Sequence, residues 1–184
     1  MIKIAHEAPK SIFEDVQQLT DYDYALVHLL EEDEEYLTQF EKAIKKGREV
    51  ILDNYIVPDA LENSLLTMSQ MENWNNNFKD LPGKKIGVVQ GQTYQAIIDC
   101  YKYMDYVANV DMIAISFDYS YYQTSVPHPN KYVSWMLGRV KLLGDLLKHG
   151  IINKEKPHHL LGCALPQEFS FYKHSDYDWL YSLD

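Results

Sequence analysis

Hydrophobic and polar positions along this chain follow two periods. Short apolar runs read as strands, and longer stretches with apolar residues every third or fourth position read as helices. The strand-like runs are Met1–Ala5, Tyr24–Leu30, Glu49–Asp53, Tyr55–Val57, Lys85–Val89, Met112–Phe117, His158–Ala164 and Asp178–Leu183. Helices are predicted over Ser11–Leu19, Glu34–Lys46, Leu61–Phe78, Tyr94–Val107, Tyr132–Leu147 and, briefly, Gln167–Tyr172. Ser11 and Glu14 form a capping-box pair at the first of these. Leu37, Phe40, Ala43 and Ile44 share one face of the second, and Gly47 supplies its stop. Ile97, Ile98, Tyr101 and Met104 stand at helical spacing in the fourth. The third is polar-rich, with a candidate break at Asn73-Trp74-Asn75-Asn76-Asn77.

Eight strands alternating with helices predict a single domain over residues 1–184 with a (β/α)8 TIM-type barrel. Two features depart from that plan. Nothing separates the third strand from the fourth, whereas a parallel crossover takes about a dozen residues. No helix follows the eighth strand, and such barrels typically run to about 250 residues. The expectation is therefore an incomplete barrel, with residues missing between Asn54 and Tyr55 and after Asp184. The alternative is an antiparallel hairpin at Asn54-Tyr55 in an open α/β sheet.

The apolar runs share a second property: they end in a carboxylate or an amide. Val50-Ile51-Leu52 runs into Asp53, Tyr55-Ile56-Val57-Pro58 into Asp59, Ile86-Gly87-Val88-Val89 into Gln90, and Trp179–Leu183 into Asp184. The C-terminal edge of a parallel sheet is where catalytic and binding groups converge. Asp59 also fits as the N-cap of the following helix. Asp53 and Asp184 suit a pair of carboxylates that divide roles, one as nucleophile and one as acid or base. Glycosyl transfer through an oxocarbenium-like transition state needs such a pair. In Gly87-Val88-Val89-Gln90-Gly91 an amide stands beside glycines that permit close backbone approach.

Composition narrows the class. The apolar content of 46% and charged content of 24% are those of an ordinary globular protein. A net charge of −10 argues against broad nonspecific nucleic-acid binding, though not against a local basic groove. Glu31-Glu32-Asp33-Glu34-Glu35 reads as a solvated helix start. Cys100 and Cys163 are the two cysteines, without a C-x-x-C spacing, so no disulfide framework or cysteine zinc site is expected. No signal peptide or membrane-length apolar run is read, and a cytoplasmic location is the expectation.

These residues resemble a known family. From about Val50 to Asp184 the chain looks like the tRNA-guanine transglycosylases, the queuine and archaeosine tRNA-ribosyltransferase superfamily. It is most similar to short phage relatives that include DNA-modifying 7-deazaguanine transglycosylases, which would make the location a host cytoplasm. Gly87-Val88-Val89-Gln90-Gly91-Gln92-Thr93-Tyr94 is similar to the family motif G-I-V-Q-G-G-x-Y. His159–Phe169 is similar to R-Y-L-M-G-V-G-x-P-E-D-L. The resemblance implies base exchange on guanine in tRNA or DNA for a 7-deazaguanine. Asp53 would be the general acid/base, and Asp184 the nucleophile that holds a covalent glycosyl intermediate. Asp59, Gln90 and Gly91, with Ser116 and Gly162, would bind the base.

Departures from the family pattern are specific. Asn54-Tyr55 follows Asp53 where the family has S-G-G-F. Met112–Asp118 replaces G-G-L-A-V-G-E. The family's Cys/His zinc motif is not seen, so no metal or other cofactor is expected. The alternative is a non-catalytic relative that binds a nucleobase, a nucleotide or a protein partner. A plain hydrolase using Asp53 and Asp184 is a third reading. Among the remaining candidates, His128 lies in a Pro-flanked surface loop. His158 and His159 face opposite sides of a strand, and Cys163 reads as core. Arg139, Lys141 and Lys148 read as solvated surface, with contact to phosphates as the alternative. Tyr119-Ser120-Tyr121-Tyr122 suits either stacking on a base or packing of a loop.

Overall fold

The computed structural model describes residues 5–6, 8–53, 60–116, 119–163 and 165–183. Seven strands form one wholly parallel sheet: β1 (Ala5–His6), β2 (Tyr22–Leu26), β3 (Glu49–Asp53), β4 (Lys85–Val89), β5 (Met112–Ile115), β6 (His158–Leu160) and β7 (Leu180–Leu183). Their order in the sheet is their order in the chain. The helices are α1 (Phe13–Gln17), α2 (Val27–Glu32), α3 (Glu34–Lys45), α4 (Ala60–Asn77), α5 (Tyr94–Lys102), α6 (Tyr119–Ser125) and α7 (Lys131–Lys148). A π-helical turn, Tyr103–Val107, extends α5, and a 3-10 segment, Pro166–Tyr172, follows β6.

Both faces of the sheet are buried, which is why its strands read as continuous apolar runs. Alternate residues face alternate sides. Ile51, Ile86, Val88, Met112 and Ala114 meet Tyr22 and Leu161 in an inner cluster. Val50, Leu52, Val89, Ile113 and Ile115 join the outer cluster beneath the helices. The inner cluster exists because the sheet curls. Tyr22 on β2 donates its hydroxyl to Ser182 Oγ on β7 at 2.7 Å, although β2 and β7 are not neighbours in the sheet. Its ring lies 5.4 Å from that of His159 on β6.

The expected TIM-type barrel with eight strands is thus corrected to a curled, seven-stranded parallel sheet among the described residues. The discrepancy arises at the expected fourth strand. Residues 54–59, which include Tyr55–Val57, lie outside the described residues. However, β3 pairs directly with β4, Val50 opposite Lys85, so no strand stands between them. The crossover is supplied by α4, and inserted residues at Asn54-Tyr55 are not needed to make it. Two further boundaries shift. The second apolar run divides after Leu26 because Val27 and Leu30 are buried at helical spacing in α2. The Tyr-rich segment expected as a loop contains α6.

Helix ends follow local chemistry. Asp33 caps α3 by accepting from Tyr36 N at 3.0 Å, and Gly47, at φ 84°, leaves the helix in a left-handed conformation. Helix α4 runs unbroken through Asn77. It is polar even where it is buried: Thr67, Gln70 and Asn75 face inward beside Met71 and Trp74. Each has a partner, Asn75 Nδ2 donating to the Ala108 carbonyl at 2.5 Å and Gln70 Nε2 to Glu31 at 3.3 Å. Helices α6 and α7 form a closely packed hairpin. A β-carbon at Gly138 would stand 2.5 Å from Tyr122 Cβ, whereas one at Gly144 would meet nothing within 4 Å. Gly138→Ala should therefore destabilise the protein by about 1–3 kcal/mol through overpacking. Gly144→Ala should stabilise it by about 0.5 kcal/mol through helix propensity. Urea unfolding of the two variants would measure this, and equal midpoints would refute the packing assignment.

Candidate functional site at the strand C-termini

Inward-facing positions on β3, β4 and β5 end in polar residues. Ile51 precedes Asp53, Val88 precedes Gln90 and Ala114 precedes Ser116 by two residues, so all three point to the same side. Asp53, Gln90 and Ser116 are 8%, 2% and 7% exposed. Two of them touch: Gln90 Nε2 donates to Asp53 Oδ1 at 2.7 Å. The other carboxylate oxygen, Oδ2, accepts from the Tyr24 hydroxyl on the neighbouring strand. Gln90 Oε1 accepts from Thr67 Oγ1 on α4 at 3.2 Å. A carboxylate only accepts, so Asp53 and the Thr67 hydroxyl together fix which way the Gln90 amide faces. The two hydrogen bonds offset the cost of burying the Asp53 charge.

Tyr24 and Thr67 were not among the candidates from sequence. Tyr24 has a legible signal, since it shares a strand face with Tyr22 two residues earlier. Thr67 has none, because its contact with Gln90 depends on how α4 lies across the strand ends. Asp59 and Asp184 fall outside the described residues. β7 (Leu180–Leu183) is tied to β2 by the Tyr22–Ser182 contact.

Gly91 and Gly162 have local structural tasks. A β-carbon at Gly91 would come within 2.8 Å of Ile97 N, so its smallness admits the first turn of α5. Gly162 has φ 60°, a left-handed conformation that favours glycine. Ser116 is held by its main chain, donating to the Val89 carbonyl at 3.1 Å and accepting from Tyr122 Oη at 2.7 Å. Behind Gln90, Gly91 and Ser116 is a cavity of about 10 Å³, lined also by Ile97, Tyr122 and Leu142. It lies on the helix side and has room for roughly one water molecule.

Arg139, expected on the surface, is buried at 1% exposure. Its Nε donates to Glu168 Oε1 at 2.6 Å, and its two terminal nitrogens donate to the carbonyls of Leu161 and Gly162 at 2.5 Å each. Glu168 is also fully buried and accepts from Tyr172 Oη at 2.6 Å. Burial and the neighbouring Glu168 push the Tyr172 hydroxyl pKa up. This ion pair joins α7, the end of β6 and the 3-10 segment behind the candidate site.

The adjacent histidines do face opposite sides. His159 Nδ1 lies 2.8 Å from Ser182 Oγ in the interior. His158 packs outward against Trp179, with Nδ1 2.8 Å from the Lys156 carbonyl and Nε2 2.8 Å from Tyr101 Oη. Donation from Nδ1 and acceptance at Nε2 suit the neutral ring. Burial holds its pKa down, at about 4 rather than 6.5. Among the described residues no group of His, Cys, Asp and Glu is arranged to hold a metal ion, and no helix is long and apolar enough to cross a membrane.

The chain matches no protein-family model, no curated protein and no solved structure.

Two measurements check this arrangement. Arg139→Met leaves Glu168 buried without its cation and should cost about 3–5 kcal/mol in urea unfolding. Adding Glu168→Leu should recover most of that loss, and a double variant no more stable than the single would contradict the pairing. For His158, the unfolded chain binds the proton more tightly, so its contribution is complete above about pH 6.5 and declines as pH falls towards 4. The full decline is about 3 kcal/mol. The stability advantage of the wild type over His158→Gln should shrink over that window. Parallel pH curves for the two proteins would show that the ring is not held neutral.

Proposed function

We propose that the C-terminal mouth of the curled sheet binds a guanine-like base and that the protein exchanges guanine in tRNA or DNA for a 7-deazaguanine. The observation that carries this reading is the 2.7 Å contact between Asp53 and Gln90. It joins the two described residues to which the family resemblance gives central roles. They are paired at adjacent strand ends on the inner face. The cavity behind Gln90 is far smaller than a base. The base would accordingly enter from the inner side, over the Asp53–Gln90 pair.

In this reading Asp184 attacks C1′ of the target nucleotide as the bond to guanine breaks. The leaving guanine takes up a proton, and the incoming base gives one up before attacking C1′ and releasing Asp184. Asp53 handles both protons. Asp59 and Gln90 read the base edge, one accepting and the other donating. The target nucleotide must leave its stack to reach the mouth. A cytoplasmic location suits the reaction, and neither Cys100 nor Cys163 is in a disulfide.

A second reading, base binding without exchange, is favoured by one observation. Both Asp53 oxygens accept hydrogen bonds within the protein, from Gln90 and Tyr24, as a purely supporting carboxylate would. Incubation with labelled 7-deazaguanine and guanine-containing tRNA or DNA separates the two. Exchange predicts incorporation, with Asp53→Asn slower by about a hundredfold or more and Asp184→Asn inactive. Base release without incorporation would mean hydrolysis. Tight base binding with neither reaction would establish the second reading.

A further inference from the structure

The protein's negative charge is unevenly distributed. No Asp or Glu occurs from Tyr119 to Gly144, although the chain has 27 acidic residues among 184. This stretch holds α6, the intervening loop and most of α7. A second acid-poor stretch runs from Lys156 to Ser175, where Glu168 is the one acidic residue. Glu168 is buried and neutralised by Arg139. The two stretches pack together through that buried ion pair, and the surface they form side by side is poor in carboxylates.

That surface is also aromatic. Tyr132, Trp135 and Arg139 are spaced by three and four residues and share one stripe of α7. Arg139 anchors the 3-10 segment at the inner end of the stripe. At the outer end Tyr132 is 44% exposed. Lys131 Nζ lies 5.1 Å from the Tyr132 ring centroid and 5.3 Å from that of Trp135. The anchored segment adds Phe169 and Phe171, 41% and 43% exposed, and is followed by exposed Lys173. Large apolar rings left in water beside lysines match a polyanion that offers flat faces.

We infer that this surface, formed by the start of α7 and the 3-10 segment after β6, docks an unpaired stretch of nucleic acid. The lysines contact phosphates, and the exposed rings stack on bases. A duplex hides those base faces, so a single strand is preferred. Because α6 and the 3-10 segment both follow strand ends, the strand would lie beside the mouth. The inference deepens the function proposed above and rests on it for the fate of the bound strand, while the binding itself is tested separately.

The test is fluorescence anisotropy with the full chain and a short fluorescein-labelled oligonucleotide of mixed sequence, as DNA and as RNA. Each is measured single-stranded and annealed to its complement. Saturable single-strand binding that exceeds duplex binding and weakens with salt is expected. Lys131→Glu and Tyr132→Ala should each weaken it by about tenfold. Glutamate in the first turn of α7 suits the helix dipole, so Lys131→Glu should keep its fold, as an unchanged unfolding midpoint would show. No saturable binding, equal duplex binding, or wild-type affinity in both variants would overturn the inference. Strand binding that depends on both residues, without base exchange, would leave it standing and remove the function proposed above. Base exchange with strand affinity unchanged in both variants would do the reverse.

Discussion

The contact on which the rest of the architecture depends is the reach of Tyr22 across the interior to Ser182 and His159. A parallel sheet in sequential order has no intrinsic reason to bring its second strand against its last ones. It does so here because curling buries the inner faces of β2 to β6 on one another, and the inner tyrosine hydroxyl then finds a polar partner on β7. The seryl oxygen accepts from Tyr22 and also meets His159, so three strands are tied by one side-chain cluster. A flat sheet would expose Ile51, Ile86, Val88 and Met112 on that face, or require a second layer to cover them.

Curling also determines what the strand ends can do. Residues that are one strand apart, such as Asp53 and Gln90, come into direct contact. Strands that are far apart in sheet order, such as β2 and β7, also touch across the interior. Once buried there, polar groups must be matched, and the matching extends well beyond the pair itself. Tyr24 satisfies Asp53 from one side, and Thr67 satisfies Gln90 from above. Arg139 and Glu168 do the same behind β6 at larger stakes, since loss of one partner leaves a buried charge. The mouth is therefore held by side chains from helices as much as by the strands that present it.

Charge and aromatic content distribute around this mouth in a consistent way. The acidic run Glu31–Glu35 spans the end of α2 and the start of α3, and the helix dipole favours its Asp33, Glu34 and Glu35. The α6–α7 hairpin and the segment after β6 carry lysines and exposed rings instead. An overall charge of −10 thus says little about any one face of the molecule.

Much of the fold was legible in the sequence. Strands β3, β4 and β5, helices α3, α4, α5 and α7, and the parallel βα alternation follow from apolar spacing and caps, which are local. The inward direction of Asp53 and Gln90 was legible too, because strand alternation fixes it. What failed was the expected fourth strand. Tyr55–Val57 has strand-like composition, but whether a run enters a sheet depends on whether a neighbour's edge is open. β4 already occupies the edge of β3. Arg139 was misread for a similar reason: a cation on a helix reads as solvated until its partner, distant in sequence, is known. The sequence by itself determined which residues are apolar, which strand tips are polar and which way they face. Only the tertiary structure decided that the sheet curls, that Asp53 meets Gln90, and that Tyr24 and Thr67 complete their hydrogen bonds. Those outcomes depend on the burial of surfaces far apart in the chain, which no local pattern encodes.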